Sequence, residues 1–489
     1  MNICTPEQAG IATAHVRRFY QTLENYHLST HSVILSRGDA IFSECYYAPF
    51  HKEFLHRMYS VSKTFVSVAI GFCEQDGLLS LDDPLMKFFP EYVGREGAAA
   101  PRSTVRDMLM MKTTVEGVIN WFKMHPENRV DTYFAHTPEK LPGTHFKYDS
   151  SASYILGVIV ERLTGKPFLA YLQEKVLNDI GFSKNAYCLK APGGYSWGDS
   201  GVMCTARDLL LFARFVLNGG TFGGKRYLNE AYLKAATTMA VSDNDYGFVH
   251  HSGHGYGYQI WGAPRGCYAM LGMGNQIALC DPVHDFIFVI NSDNQGHPHN
   301  YEMIFDALYD HIIGNLQQGP LAPDRAASDA LDAWLSTRRL FALTGPAQSE
   351  LAAKINDKTY VCGENPMGIK WFRVALEKTR GVFHYENAQG VKQMPFGFGY
   401  NEFAQFPQEG YADTVGNTYA PGNTYRAAFS ADWPEPKRLR IRVQVIDKYF
   451  GNLAIVLGFC DENSVTLRMS KTAEDFLAEY NGVAIATAK

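Results

Sequence analysis

Apolar residues recur every three or four positions along several stretches of the first 316 residues, and this spacing predicts amphipathic helices. In residues 12–27 one face carries Val16, Phe19, Tyr20 and Leu23. Ser or Thr before such a stretch and Gly after it mark helix ends. Together these signals predict helices at 12–27, 60–77, 103–112, 150–161, 205–217 and 301–316.

Strand signals alternate with these helices. Residues 32–45 predict two short strands around a Gly-Asp turn, and residues 256–261, 268–280 and 285–291 predict three more at hairpin spacing. Residues 1–317 are therefore predicted to form an α/β (α+β) domain whose helices pack on an antiparallel sheet. Residues 114–142 are aromatic and charged without a clear period, which predicts an irregular surface insertion.

The pattern changes in the last third of the chain. Residues 439–445 alternate apolar and polar side chains, as expected for a strand with one solvated face, and residues 371–377 and 453–458 are also strand-like. Turns rich in Gly, Asn and Pro separate these runs. We predict an all-β, barrel-like accessory domain at 351–489, joined to the first domain by a linker with a helix at 318–350.

Composition narrows the possible partners. The chain has 489 residues and a net charge of −5 without a basic block, so nucleic acid is not an expected partner. It has no run of about 18 apolar residues, so no membrane span is predicted. The N-terminus lacks a secretory pattern, and the nine cysteines are scattered at irregular spacing. These features predict a cytoplasmic protein with free thiols; its oligomeric state is not predicted.

One short motif carries candidate chemistry. Residues 60–63 read Ser-Val-Ser-Lys and precede an apolar run. If a helix begins there, Lys63 lies one turn from Ser60 on the same face, so an amine lies beside a hydroxyl. The free N–H groups of the first helical turn would stabilise an oxyanion. The motif therefore offers a nucleophile, a proton acceptor and an anion site.

A second motif, Tyr148-Asp149-Ser150, follows about ninety residues later and also precedes a helix. With the phrases at 78–84 (Leu-Leu-Ser-Leu-Asp-Asp-Pro) and 161–165 (Glu-Arg-Leu-Thr-Gly), residues 1–315 resemble the serine β-lactamase and penicillin-binding-protein superfamily. The likeness is to its class C β-lactamase-like group, which includes family VIII esterases, D-aminopeptidases and 6-aminohexanoate-dimer hydrolases.

The resemblance implies roles for these residues. Ser60 would be the nucleophile that forms an acyl-enzyme, and Lys63 and Tyr148 would move its proton; which of the two is the base stays open. Ser150 would orient the substrate or Lys63. The implied activity is that of a serine hydrolase acting on a small ester, amide or peptide, without a cofactor or metal.

The third family motif departs from the pattern. Members carry Lys-Thr-Gly, His-x-Gly or Trp-Gly-Gly on the strand beside the site, whereas residues 271–276 here contain neither Lys nor His. The candidate oxyanion and substrate-binding residues on this strand are Gly272, Met273, Gly274 and Gln276. We expect a substrate that lacks the carboxylate which the missing cation would bind. The alternatives are a non-catalytic penicillin-binding-like receptor and a β-lactamase or D-Ala-D-Ala peptidase.

Other polar clusters are interpreted as structural. The histidines at 250, 251 and 254, and those at 297 and 299, lie in stretches without a helix or strand to fix ligand geometry. We interpret them as solvated loop residues rather than metal ligands. Asp82 and Asp83 are expected to form a turn and a helix cap.

Overall fold

The computed structural model describes residues 1–94, 103–116, 119, 127–242, 254–412, 420–474 and 476–489. Its described residues form two compact units, one of Met1–Arg339 and one that begins at Leu340. The described residues contain no helix that is both long enough and apolar enough to cross a membrane. None of the nine cysteines is in a disulfide in the described part of the chain.

Strands of the first unit build one main sheet and two small ones. Their bounds are β1 (Asn2–Ile3), β2 (Thr30–Arg37), β3 (Ala40–Tyr46), β4 (His56–Arg57), β5 (Tyr187–Cys188), β6 (Val202–Cys204), β7 (Thr221–Phe222), β8 (Lys225–Arg226), β9 (Trp261–Gly262), β10 (Tyr268–Gly272), β11 (Gln276–Asp281) and β12 (Phe286–Ser292). The main sheet has the order β1-β3-β2-β12-β11-β10-β9 and is antiparallel except for the β1–β3 pair. The predicted antiparallel sheet is confirmed.

Two of the strand predictions need correction. Within the 256–261 stretch only Trp261 belongs to a strand, which ends at Gly262. The 268–280 stretch is two strands, because Gly274 and Asn275 have φ values of +79° and +70° and reverse the chain between Gly272 and Gln276. Consecutive residues with positive φ are typical of tight hairpins.

Helices of the first unit cover this sheet. Their bounds are α1 (Thr13–Asn25), α2 (Ser62–Gln75), α3 (Val105–Leu109), α4 (Arg129–Ala135), α5 (Ser150–Thr164), α6 (Phe168–Leu172), α7 (Ala206–Leu217), α8 (Glu230–Ala236), α9 (Asn300–His311) and α10 (Arg325–Leu335). The face of α1 that carries Val16 and Phe19 is buried in the core as predicted, and Phe19 packs edge-on against Phe288 of β12. Helices α2 and α5 are buried along most of their length, as elements of a domain interior are.

One helix prediction and the predicted irregular insertion differ from the structure. The helix predicted at 103–112 is shorter: Thr104 and Asp107 form a capping box at its start, and it ends at Leu109 because Met111 has a φ of +52°. The predicted irregular insertion at 114–142 contains α4, which Asn128 caps through the Val130 N–H. Residues 117, 118 and 120–126 of that insertion lie outside the described residues.

The second unit is a barrel. Its elements are α11 (Ala352–Ile355) and β13 (Thr359–Cys362), β14 (Trp371–Leu376), β15 (Arg380–Asn387), β16 (Gly390–Phe398), β17 (Glu402–Gln405), β18 (Arg426–Glu435), β19 (Arg438–Ile446), β20 (Phe450–Phe459), β21 (Ser464–Ala473) and β22 (Gly482–Ala488). The sheet runs from β16 through β13, β22 and β20 to β18, and it closes where Gly397 and Phe398 pair in parallel with Ser430 and Ala431. The predicted all-β, barrel-like fold is confirmed.

Candidate active site

Ser60 lies in a 3₁₀ turn, Tyr59–Val61, that leads directly into α2. The helix proper therefore begins two residues later than predicted. Tyr59 has a φ of +48°, a conformation that costs energy for a residue with a bulky side chain. This turn leaves Ser60 half-buried while its neighbours Tyr59 and Val61 are fully buried.

Lys63 reaches Ser60 as the helical spacing predicts. Its Nζ lies 2.9 Å from Ser60 Oγ and donates a second hydrogen bond of 2.6 Å to the carbonyl oxygen of Asp199. The lysine side chain is only 2% exposed. Burial lowers the pKa of Lys63 to about 8; Asp199 and Asp149 oppose this shift, and the Arg57 cation adds to it. About a tenth of the amine is therefore neutral at pH 7, whereas a lysine with an unshifted pKa is almost entirely charged.

Tyr148 approaches Ser60 from the segment before α5. A side-chain hydrogen bond joins the two residues, and Lys63 Nζ lies 5.2 Å from the centre of the tyrosine ring. The ring stacks on Trp261 with centroids 5.3 Å apart. Burial raises the pKa of the Tyr148 phenol, so it stays protonated at neutral pH. Two side chains from different segments, Lys63 and Tyr148, thus converge on the Ser60 hydroxyl.

Asp149 fixes the position of Tyr148. It caps α5 by accepting hydrogen bonds from the Ser151 and Ala152 N–H groups, at 2.9 and 3.3 Å, and it also accepts one from Thr113 Oγ1 at 2.8 Å. Such a cap defines the angle at which the preceding chain enters the helix. Ser150 is the first residue of α5 and is half-buried; in the described part of the chain no hydrogen bond joins it to Lys63.

The end of β10 lies against the Ser60 turn. A Cβ atom on Gly272 would be 2.4 Å from Met58 O and 3.3 Å from Ser60 N, so this approach requires glycine. Tyr301 holds the strand end by donating a 2.8 Å hydrogen bond to Gly272 O. Within the described residues, the Ser60 N–H donates no backbone hydrogen bond, which leaves it available to an oxyanion.

The other residues predicted on this strand form the β10–β11 turn. Gln276 is buried, and its amide group bonds to Met273 O at 3.0 Å and Ser292 O at 2.7 Å, so its side chain braces the turn rather than facing Ser60. Gly274 provides the positive φ, and Met273 is half-buried at the tip. The structure thus places Gly272 against the turn of the candidate nucleophile and Gln276 behind it.

The loop histidines were interpreted above as solvated residues rather than metal ligands. His250 and His251 fall outside the described residues, whereas His297 bonds to the carbonyl oxygens of Pro298 and Tyr26. No group of three or more potential metal ligands occurs in the described ranges.

Sequence patterns did not indicate several residues that shape the site. Asp199 supplies the carbonyl that orients Lys63, and Trp261 supplies the surface on which Tyr148 stacks. Arg57 is fully buried beside the Ser60 turn. They are far apart in the sequence and belong to no short motif; the only local signal is the Arg in the strand just before Ser60.

Comparison with known proteins agrees with the fold of the first unit. The β-lactamase family matches residues 16–310. A 6-aminohexanoate-dimer hydrolase of Paenarthrobacter ureafaciens is 26% identical over 281 residues, which cover 53% of this chain and 71% of that protein. A penicillin-binding protein homologue from Caulobacter crescentus aligns with a TM-score of 0.51 at 17% identity, over 64% of this chain and 99% of that one. A family VIII carboxylesterase aligns with a TM-score of 0.50 at 17% identity over the same shares. Because the family match spans more than half of its residues, this chain belongs to the β-lactamase family.

Proposed function

We propose that this protein is a serine hydrolase that cleaves a small ester, amide or peptide through an acyl-enzyme on Ser60. The observation that carries the proposal is the 2.9 Å contact between Ser60 Oγ and the buried Lys63 amine, whose pKa is lowered to about 8. A serine hydroxyl becomes a useful nucleophile only when a nearby base takes its proton. Lys63 is such a base in its neutral form.

Acylation would begin with proton transfer from Ser60 Oγ to the neutral Lys63 amine as Oγ bonds to the substrate carbonyl carbon. The electron pair of the carbonyl moves to its oxygen, which the Ser60 N–H and backbone N–H groups next to Gly272 would stabilise. When the tetrahedral intermediate collapses, the carbon–leaving group bond breaks and the leaving group takes a proton. Water then attacks the carbonyl carbon of the acyl-enzyme, the bond from this carbon to Ser60 Oγ breaks, Oγ takes one proton of the water, and the acid is released.

Tyr148 is assigned the role of proton donor rather than base. Its raised pKa keeps the phenol protonated, and its hydrogen bond to Ser60 places it beside the reacting oxygen. A phenol in this position can give its proton to the leaving group and regain one from Lys63. The stacked ring of Trp261 keeps the phenol in this orientation.

The proposed substrate is an ester or amide without a carboxylate next to the scissile bond. Residues 271–276, which pass beside Ser60, carry no Lys or His to pair with such a carboxylate. Hydrolysis is also the reaction in the name of the relative from Paenarthrobacter ureafaciens, the 6-aminohexanoate-dimer hydrolase.

Intact-protein mass spectrometry after treatment with a fluorophosphonate tests the nucleophile. We expect one adduct on the wild type and none on Ser60→Ala. Ser67→Ala is the matched control, because Ser67 lies in the same region of the chain but bonds to Tyr232 instead of Lys63. The control should keep the adduct. A wild type without an adduct would favour the non-catalytic receptor.

Substrate class is tested by comparing nitrocefin, a D-Ala-D-Ala peptide and p-nitrophenyl esters under the same conditions. The proposal expects the esters to give the highest kcat/KM. Turnover dominated by nitrocefin or by the peptide would instead identify a β-lactamase or a peptidase.

A further inference from the structure

The side chain of Arg57 is buried between two aromatic rings beside the Ser60 turn. Its guanidinium carbon lies 4.0 Å from the centre of the Tyr59 ring and 4.3 Å from the centre of the Trp197 ring, and the residue is 0% exposed. A guanidinium over an aromatic face is attracted by the ring, and the attraction grows when water is excluded. Arg57 therefore holds together two segments that are about 140 residues apart in the sequence.

Hydrogen bonds fix the orientation of the same guanidinium. Arg57 Nε donates to Ser200 O at 3.1 Å, and Arg57 Nη2 donates to Ser200 Oγ at 2.9 Å. Ser200 directly follows Asp199, whose carbonyl oxygen accepts the 2.6 Å hydrogen bond from Lys63. On its other side, Arg57 contacts Tyr59, which directly precedes Ser60 and has the left-handed backbone conformation.

The two segments meet through further contacts. Strand β4, which contains Arg57, pairs with β6, and Met58 N donates to Val202 O at 2.9 Å. Ser62 Oγ accepts a 3.0 Å hydrogen bond from Val202 N. These contacts align the backbones, whereas Arg57 is the side chain that reaches both the residue before Ser60 and the residue after Asp199.

We infer that Arg57 is a positioning residue for acyl transfer, because it keeps Ser60 Oγ and the Asp199 carbonyl at the separation that the Lys63 amine spans. The inference rests on the proposed function. In this role Arg57 acts through the Ser60 turn and through the Asp199 carbonyl.

Charge gives Arg57 a second effect on the same site. Its cation lowers the pKa of Lys63, although burial is the larger cause, while Asp199 and Asp149 raise it and Tyr148 presents its neutral ring. Removing the cation should therefore leave more of the Lys63 amine protonated at neutral pH. A variant that keeps the positive charge at position 57 should move the midpoint of the pH profile less than a variant that removes it.

Two substitutions separate the geometric effect from the electrostatic one. Arg57→Met removes the charge and the hydrogen bonds, so kcat/KM for p-nitrophenyl acetate should fall about 10²-fold or more and the midpoint of its pH profile should move to higher pH. Arg57→Lys keeps a charge but loses the planar fork and the stacking. Its kcat/KM should fall, while the midpoint of its pH profile should stay closer to that of the wild type.

Arg214→Lys is the matched control, because Arg214 is an equally buried arginine of the same unit that pairs with Asp285 instead. Its kcat/KM and pH midpoint should equal those of the wild type. The inference is overturned if a folded Arg57→Met variant keeps the wild-type kcat/KM. It is also overturned if the kcat/KM of this variant falls while the midpoint of its pH profile is unchanged. It is also overturned if both Arg57 variants fail to fold, since Arg57 is then required only for folding. If the wild type forms no Ser60 adduct, the proposed function itself has failed.

Discussion

The carbonyl oxygen of Asp199 accepts a 2.6 Å hydrogen bond from Lys63 Nζ, and the same amine lies 2.9 Å from Ser60 Oγ. A neutral amine has only two protons to donate, and a backbone carbonyl can only accept. The bond to Asp199 therefore uses one amine proton and turns the nitrogen lone pair toward other neighbours, of which Ser60 is one.

The pH dependence of acylation should report the protonation of Lys63. Because its pKa is lowered to about 8, the neutral base accumulates as pH rises, and kcat/KM for p-nitrophenyl acetate should increase to a plateau with a midpoint near pH 8. Stopped-flow measurement of p-nitrophenol release from about pH 6 to about pH 10 tests this. A flat profile over this range would show that Lys63 is not the base.

Replacing Lys63 with Met should abolish acylation and stabilise the fold at neutral pH. Loss of the base should cost about 10³-fold or more in kcat/KM. Below pH 8 the folded protein must bury a charged amine that prefers water, a penalty of about 3 kcal/mol from the shift of its pKa. The variant also loses two hydrogen bonds of about 1 kcal/mol each, which offsets part of this gain. The free energy of unfolding of Lys63→Met should therefore exceed that of the wild type by about 1 kcal/mol at pH 7.

The sign of this stability effect should change with pH. Above the ordinary lysine pKa, the amine is neutral in both the folded and the unfolded state, so the penalty disappears and only the lost hydrogen bonds remain. Urea denaturation at pH 7 and above pH 10.5 measures both conditions. Lys87→Met is the control, because this exposed lysine pairs with Asp83 at the surface. A Lys63→Met variant less stable than the wild type at pH 7 would contradict the prediction.

Tyr148→Phe should lower kcat/KM for an ethyl ester, whose alkoxide leaving group needs a proton, by about 10²-fold to 10⁴-fold while leaving the fold intact. The phenylalanine ring can keep the stack on Trp261 but lacks the hydroxyl that bonds to Ser60. Tyr133→Phe is the matched control, because the Tyr133 hydroxyl donates to Met108 Sδ instead. Equal activity losses in the two variants would show that the effect is not specific to the Ser60 contact.

Gly272→Ala should disturb the oxyanion region. Its added methyl group would lie 2.4 Å from Met58 O, so either β10 or the Ser60 turn must move. A displacement of about 1 Å at a reacting centre can cost about 10²-fold in rate, and we expect kcat/KM to fall by at least that factor. Gly458→Ala is the control, because nothing lies within 4 Å of its added methyl group. Wild-type activity in Gly272→Ala would show that this close approach is not needed.

The sequence by itself was sufficient for features that depend on local spacing. The three-to-four-residue period of apolar residues predicted the buried face of α1. The two-residue period of 439–445 predicted a strand of the barrel. The four-residue motif placed Lys63 next to Ser60, because helix geometry alone brings residues three apart together. Where it failed, the backbone departs from the regular pattern: the positive φ of Met111 shortens α3, and those of Gly274 and Asn275 divide the 268–280 stretch.

Only the tertiary structure determined the pKa of Lys63 and the contacts that position Ser60. The lowered pKa of Lys63 depends first on burial, which no local pattern reports, and then on charges at positions 57, 149 and 199. The Asp199 carbonyl and the Arg57 guanidinium reach the site from β-strands and turns that meet only after the chain has folded. Contacts between segments about 140 residues apart leave no periodicity in the sequence, so the residues that shape this site become visible only when the chain brings them together.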